Sequence, residues 1–268
     1  MLHLKLQNIH FIGSLLIDLD KREILNIGTF DHKLVTALQT EIKNAPDLFL
    51  PIKDGEIVLK TLKTDILRAK DGIMTHICLP TVKQVPAHAL YGNKGIVSFK
   101  ALKAEKIDHN AIYKAFDLEY VEMPKLKEAR FSNFTKCPKL AEVKTPMLRD
   151  LQEGCFCLNP KLSEIPGDSL ETVAGNCFCS LPKIKDVRMP NLIALGPNSF
   201  EKNKMRLVYM PALTCLESGT FLKSKVEYLY APKLRNRSPS IKYLQNAKEL
   251  MRNKHFLPER FIDGLEKE

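Results

Sequence analysis

The sequence predicts an α/β solenoid: a right-handed superhelix of about eight coils of 21–23 residues, with a parallel β-sheet on its concave face and a cap at each end. Three observations predict it. An apolar residue returns about every 22 positions, at Leu67, Leu90, Ile112, Phe134, Phe156, Phe178, Phe200 and Phe221. Other apolar columns keep the same period on either side of it. Prolines recur as well, at Pro80, Pro124, Pro146, Pro190, Pro211 and Pro232. One coil of this length cannot bury its own apolar side, so coils must stack to make a continuous core.

Residues 1–55 fall outside the period and are read as an N-terminal capping or docking region. "HKLVTALQTEIKNA", residues 32–45, has helical spacing at Leu34, Leu38 and Ile42 and stops before Pro46. The opening apolar stretch "FIGSLLI" is short, and Asp18 and Asp20 follow it at once. It reads as part of the folded protein rather than a leader. The sequence has no run of 18 apolar residues, so no membrane-spanning helix is expected.

The array occupies 56–235. Eight residues before the central position lie Leu59, Val82, Ala104, Leu126, Leu148, Leu170, Leu192 and Leu213. Five before it lie Leu62, Val85, Ile107, Ala129, Leu151, Val173, Leu195 and Leu216. Six after it lie Ile73, Ile96, Leu118, Leu140, Leu162 and Ile184. The unit "LxxVxxPxLxxLxxxxFxxxxxL" places a short strand at "LxxV", then a turn begun by proline, then a compact return segment. Residues 236–268 form the C-terminal cap, helical from about 239 to 254, with Ser238 as N-cap and Pro239 at the first helical position. Terminal coils expose an apolar edge, and a cap covers it.

The unit resembles the BspA-like leucine-rich repeat: Phe134, Cys137, Leu140, Val143 and Pro146 match its pattern position by position. Early coils lack the phenylalanine, with Leu67, Leu90 and Ile112 in its place. The resemblance implies a protein that binds partners on the strand-bearing concave face. It also implies kinship with microbial surface proteins and proteins delivered into hosts. With no export signal read in the sequence, the expected location is the cytoplasm, or a host cell reached by a non-classical route.

"CFC" occurs twice, at 155–157 and 177–179. Cys155 and Cys177 stand in a column that elsewhere holds Ala89, Ala111, Asn133, Ser199 and Thr220, a small-residue column. Cys157 and Cys179 share theirs with Thr135, Glu201 and Leu222. Zinc would need three or four converging ligands, which the two pairs could supply only by facing the same side. The small-residue column favours structural thiols. Seven cysteines, an odd number at low density, read as reduced, with no metal and no cofactor.

Side chains alternate across a strand, so the neighbours of the inward valine face outward. Equal phases stack at roughly 4.8 Å and form ladders. The column before the valine reads His76, Ser98, Tyr120, Glu142, Glu164, Asp186, Leu207 and Tyr228. The column after it reads Cys78, Lys100, Glu122, Lys144, Pro166, Arg188, Tyr209 and Tyr230. Glu142, Glu164 and Asp186 make a carboxylate ladder in a chain of formal charge +10, flanked by Lys144 and Arg188. Tyr209, Tyr228 and Tyr230, with Leu207, are expected to make an exposed aromatic patch, and tyrosine is favoured in interface hot spots. Tyr120, Glu122 and these residues form the expected partner-binding surface.

Neither non-repeat end shows an acid/base pair, a phosphate loop or a nucleophile beside a base. The expected function is therefore a non-catalytic interaction scaffold for another protein. The alternatives are a substrate-recognition subunit or enzyme with activity in a terminal region, and a nucleic-acid binder using the basic surface. The lysines are scattered along the sequence without a run, which speaks against the last.

Overall fold

The computed structural model describes residues 82–235 continuously, together with strands at 9–12, 15–18, 23–26, 49–53, 56–59, 76–79 and 249–250. The strands in chain order are β1 (Ile9–Ile12), β2 (Leu15–Asp18), β3 (Glu23–Asn26), β4 (Phe49–Lys53), β5 (Glu56–Leu59), β6 (His76–Leu79), β7 (Gln84–Val85), β8 (Ser98–Ala101), β9 (Lys106–Ile107) and β10 (Tyr120–Glu122). They continue with β11 (Glu128–Ala129), β12 (Glu142–Lys144), β13 (Asp150–Leu151), β14 (Thr172–Val173), β15 (Asp186–Arg188), β16 (Ala194–Leu195), β17 (Lys204–Tyr209), β18 (Cys215–Leu216), β19 (Lys225–Tyr230) and β20 (Glu249–Leu250).

The coils stack into two parallel sheets, a major and a minor one. The minor sheet runs unbroken through seven coils, in the order β18-β16-β14-β13-β11-β9-β7. The major sheet is in two pieces, β12-β10-β8-β6-β5-β4 and β15-β17-β19-β20. Equivalent residues of neighbouring coils pair in register, as in Val121 with Val143 and Val208 with Leu229. This is the expected solenoid. The described residues hold strands and turns but no helix. The minor sheet, with two residues per strand, is an element the sequence pattern did not announce.

From Val85 onward the core is the predicted set of columns; Val82 is partly buried, and Leu62, Leu67 and Ile73 lie outside the described residues. Ile112, Phe134, Phe156, Phe178, Phe200 and Phe221 are fully buried, as are Ala104, Leu126, Leu148, Leu170, Leu192 and Leu213. The phenylalanines stack coil on coil, with ring centroids 4.7–5.9 Å apart between Phe134 and Phe221. Offset aromatic stacking adds to the area they bury.

The return segment is a turn in every described coil. It opens on a residue of positive φ (His88, Asn110, Ser132, Gly154, Asn176, Asn198 or Gly219) and closes on another (Gly92, Lys114, Lys136, Leu158, Ser180, Lys202 or Lys223). Backbone bonds tie these turns to the next coil, among them Asn110 N–H to Phe131 and Lys114 N–H to Thr135. A left-handed residue at both ends of the turn leaves no room for a helix there.

At the N-terminal end, β4 pairs antiparallel with β5, and β5 pairs parallel with β6. β4 and β5, on either side of residue 55, belong to the same sheet as β6. β1, β2 and β3 form a separate antiparallel sheet. The expected helix at 32–45 lies outside the described residues. So do Ser238 and Pro239 of the expected C-terminal helix, but Glu249–Leu250 within that span is a strand on β19. An edge of unpaired N–H and C=O groups is satisfied directly by another strand.

Candidate functional site

On β10 and β12 the residues of the two outward columns are exposed or partly exposed. Tyr120 pairs with Ser98 on one side and Glu142 on the other, and Glu122 with Lys100 and Lys144. Tyr120, Glu122, Glu142 and Lys144 make one network. The Tyr120 hydroxyl donates to Glu122 Oε2 at 2.9 Å, Lys144 Nζ lies 3.1 Å from Glu142 Oε1, and Lys144 Nζ sits 5.2 Å from the centre of the Tyr120 ring. Burial, then the hydrogen bond to Glu122, pushes the Tyr120 hydroxyl up in pKa. The Glu142 hydrogen bond and then Tyr120 raise Lys144. Glu142 and Lys144 are more than half exposed, so solvent screens their pair and it adds little to stability. Such groups exchange partners at little cost.

The C-terminal end of the face differs from expectation. Leu207, Tyr209 and Tyr230 are buried, and only Tyr228 is half-exposed. Tyr209 is held between neighbours of its own column: Arg188 caps one face of the ladder at 5.6 Å, and the Tyr230 ring stacks on it at 5.3 Å with planes 5° apart. The alternation put these rings in the right column, but the column packs on itself. The exposed aromatic patch is therefore corrected to a buried stack.

The carboxylate ladder is also interrupted. Asp186 is bound by Arg206 through two hydrogen bonds of 3.1 and 2.8 Å, and Glu142 by Lys144. The coil carrying Glu164 has no major-sheet strand. Pro166 removes a backbone donor there. Gly167 lies so close to the next coil that a Cβ on it would overlap the Arg188 carbonyl oxygen. The result is a groove of about 850 Å³ in the face, lined by residues 141–146 and 163–169 with Asp186 and Arg188. Glu164 is exposed at its edge.

A family model for the BspA-type leucine-rich repeat region matches in six copies, over residues 70–167 and 105–227. These matches cover more than half of the 268 residues. The chain belongs to the BspA-type leucine-rich repeat family. No curated protein and no solved structure matches it significantly.

Within this leucine-rich repeat array the two Cys-Phe-Cys motifs do different things. Cys155 and Cys177 are fully buried, and their thiols donate to the carbonyls of Arg130 and Gln152 at 3.2 and 3.3 Å. Asn133 and Ser199 in the same column donate to Arg130 and Ala174. The column thus supplies a small donor to a neighbouring turn. Burial pushes the Cys177 thiol up to about 12 and Cys155 well above its usual value, so both are neutral donors rather than nucleophiles. Cys157 and Cys179 are joined by a disulfide, with Cα atoms 4.8 Å apart. That corrects the expectation of seven reduced thiols for this pair. The reason is the ladder itself, which sets equal positions of adjacent coils at disulfide distance. The pairs do not face one side, because they flank the centre of a turn rather than lie on a strand. Among the described residues no group of three or more side chains is placed to hold a metal.

A second cluster escaped the sequence reading. Tyr91 and Tyr113 stack at 5.3 Å, His88 packs against both Tyr91 and His109, and Lys114 and Lys136 each lie 5.5 Å from the Tyr113 ring. Tyr91 and Phe131 are exposed. The lysines are 22 apart in sequence and neighbours in space. Sorting them by repeat phase instead of looking for a run would have found them. Among the described residues no helix is long and apolar enough to cross a membrane.

Proposed function

We propose that this leucine-rich repeat protein is a non-catalytic scaffold that binds another protein through the outward face of its major sheet. The observation that carries this reading is the Tyr120–Glu122–Glu142–Lys144 network: partly exposed polar and aromatic side chains, in register, on strands whose inward residues are the buried Val121 and the partly buried Val143. Rigid strands present such side chains with little entropy left to lose on binding. Tyrosine and a loosely held ion pair supply area and adjustable polarity. The family supports the reading, since a binding role is general for leucine-rich repeats.

The test is affinity capture from lysate, comparing wild type with a Tyr120→Ala/Lys144→Ala variant and reading partners by mass spectrometry. A partner depleted in the variant supports the scaffold. Equal recovery by both removes this face from the reading. Tyr209 and Tyr230 are unsuitable for the purpose, because truncating buried rings would damage the fold.

One observation favours a second reading, nucleic-acid binding, at the Tyr91–Tyr113 stack with Lys114 and Lys136. Stacked rings among lysines suit single-stranded nucleic acid. A labelled poly-dT oligonucleotide would then bind with steep salt dependence and lose affinity on Lys114→Glu/Lys136→Glu.

A further inference from the structure

The major sheet lacks one rung, and the groove there is lined by residues with unpartnered polar atoms. β12 and β15 flank the missing rung, and each is paired on one side only. Thr145 lines the groove at 1% exposure, and its hydroxyl has no hydrogen-bond partner. Arg188 also lines it. Its Nε is bound to Asp168 at 3.0 Å, while its Nη1 is buried and unpartnered. Buried polar groups are normally satisfied, and these two atoms, on residues that line one groove, can bond a ligand that supplies partners. Glu142, Asp168 and Asp186 are neutralised by Lys144, Arg188 and Arg206. Glu164 is exposed and makes no ion pair among the described residues.

These requirements define the occupant. Arg188 Nη1 donates and needs an acceptor, the Thr145 hydroxyl can donate to another, and the Glu164 carboxylate can accept from a cation. A polyamine brings cations but no acceptors. A nucleic acid brings phosphates toward the negative Glu164. A peptide bearing a basic side chain brings both a cation and carbonyls, and an extended one follows the strand direction of the groove walls. We propose that this groove is a peptide cleft: it takes an extended segment of the partner protein, with a lysine or arginine seated on Glu164 and main-chain carbonyls accepting from Arg188 and Thr145. This rests on the scaffold reading and adds the class of ligand.

The experiment uses the full chain and pools of short, end-blocked peptides with random flanks and a fixed central Lys, Arg, Glu or Ala, read by fluorescence anisotropy. Lys and Arg pools are expected to bind about tenfold more tightly than Ala pools, equivalent to about 1.4 kcal/mol. Glu164→Gln should abolish that preference, and Glu164→Lys should transfer it to the Glu pool. Glu164 is exposed, so neither change threatens the core, and an unaltered thermal unfolding curve verifies this. Equal binding of all pools, or a Lys/Arg preference that survives Glu164→Lys, overturns the cleft. The parent reading fails separately. A captured partner kept by Glu164→Lys but lost on Tyr120→Ala/Lys144→Ala overturns the cleft and leaves the scaffold standing. A partner kept by both variants overturns both.

Discussion

Phe178 sits between Phe156 and Phe200, with ring centroids 5.9 and 5.2 Å away, and is fully buried. Removing the ring leaves a cavity that two neighbouring coils share. Phe178→Ala is expected to cost about 3–5 kcal/mol, and Phe178→Leu much less, in urea unfolding. Asp117 carries the clearest pH effect at this scale. Lys139 Nζ at 2.8 Å, then the Gly95 N–H at 3.0 Å, lower its pKa from the usual 3.8. A carboxylate held lower in the folded state stabilises above its unfolded pKa, and that contribution is lost as pH falls through the folded value. Asp117→Asn should therefore flatten the acid limb of stability against pH, measured by unfolding from neutral pH downward. The phenylalanine column was legible because a period of apolar residues reports burial directly. Tyr209 and Tyr230 were misread because outward direction was taken for exposure. Only the coordinates show that the rings cover one another.

At the scale of the element, the turn decides each coil's shape. Asn176 has φ near 58° and donates its N–H to Pro197 at 2.9 Å. A β-branched residue tolerates this region poorly. Asn176→Val should destabilise by about 1–2 kcal/mol, while Asn176→Gly stays within a few tenths, as denaturant curves of the two variants would show. The opening position of the turn was half legible, since Asn and Gly favour left-handed backbone. The closing position was not, because Lys136, Leu158 and Lys202 give no such signal. The major strands could be read from their alternation. The minor strands could not, since two residues are too short to alternate. The missing rung at 163–167 was marked by Pro166 and Gly167, but a solenoid tolerates both in many places, and the pattern alone does not say that pairing stops.

Over the whole molecule, stability is close to a sum of coil and coil–coil terms. Interior coils have two neighbours and the end coils of the repeat have fewer. Hydrogen exchange should therefore be slowest for amides of the minor sheet between Ala129 and Leu195 and faster toward either end of the array. Uniform protection across β7 to β18 would mean one cooperative block instead. The period was enough to foresee the solenoid, because every coil repeats the same burial problem. The binding surface was only partly foreseen: its columns follow from strand alternation, whereas charge pairing and the groove arise between coils. Continuity of the two sheets differs, and that has a mechanical consequence. The minor sheet and the phenylalanine stack run through coil 163–167 like an uncut flange of a beam, while the opposite flange is notched. A beam notched on one side has its lowest bending stiffness at the notch. The solenoid's softest flexural mode is therefore centred on this coil, and it varies the width of the groove while leaving the spine intact.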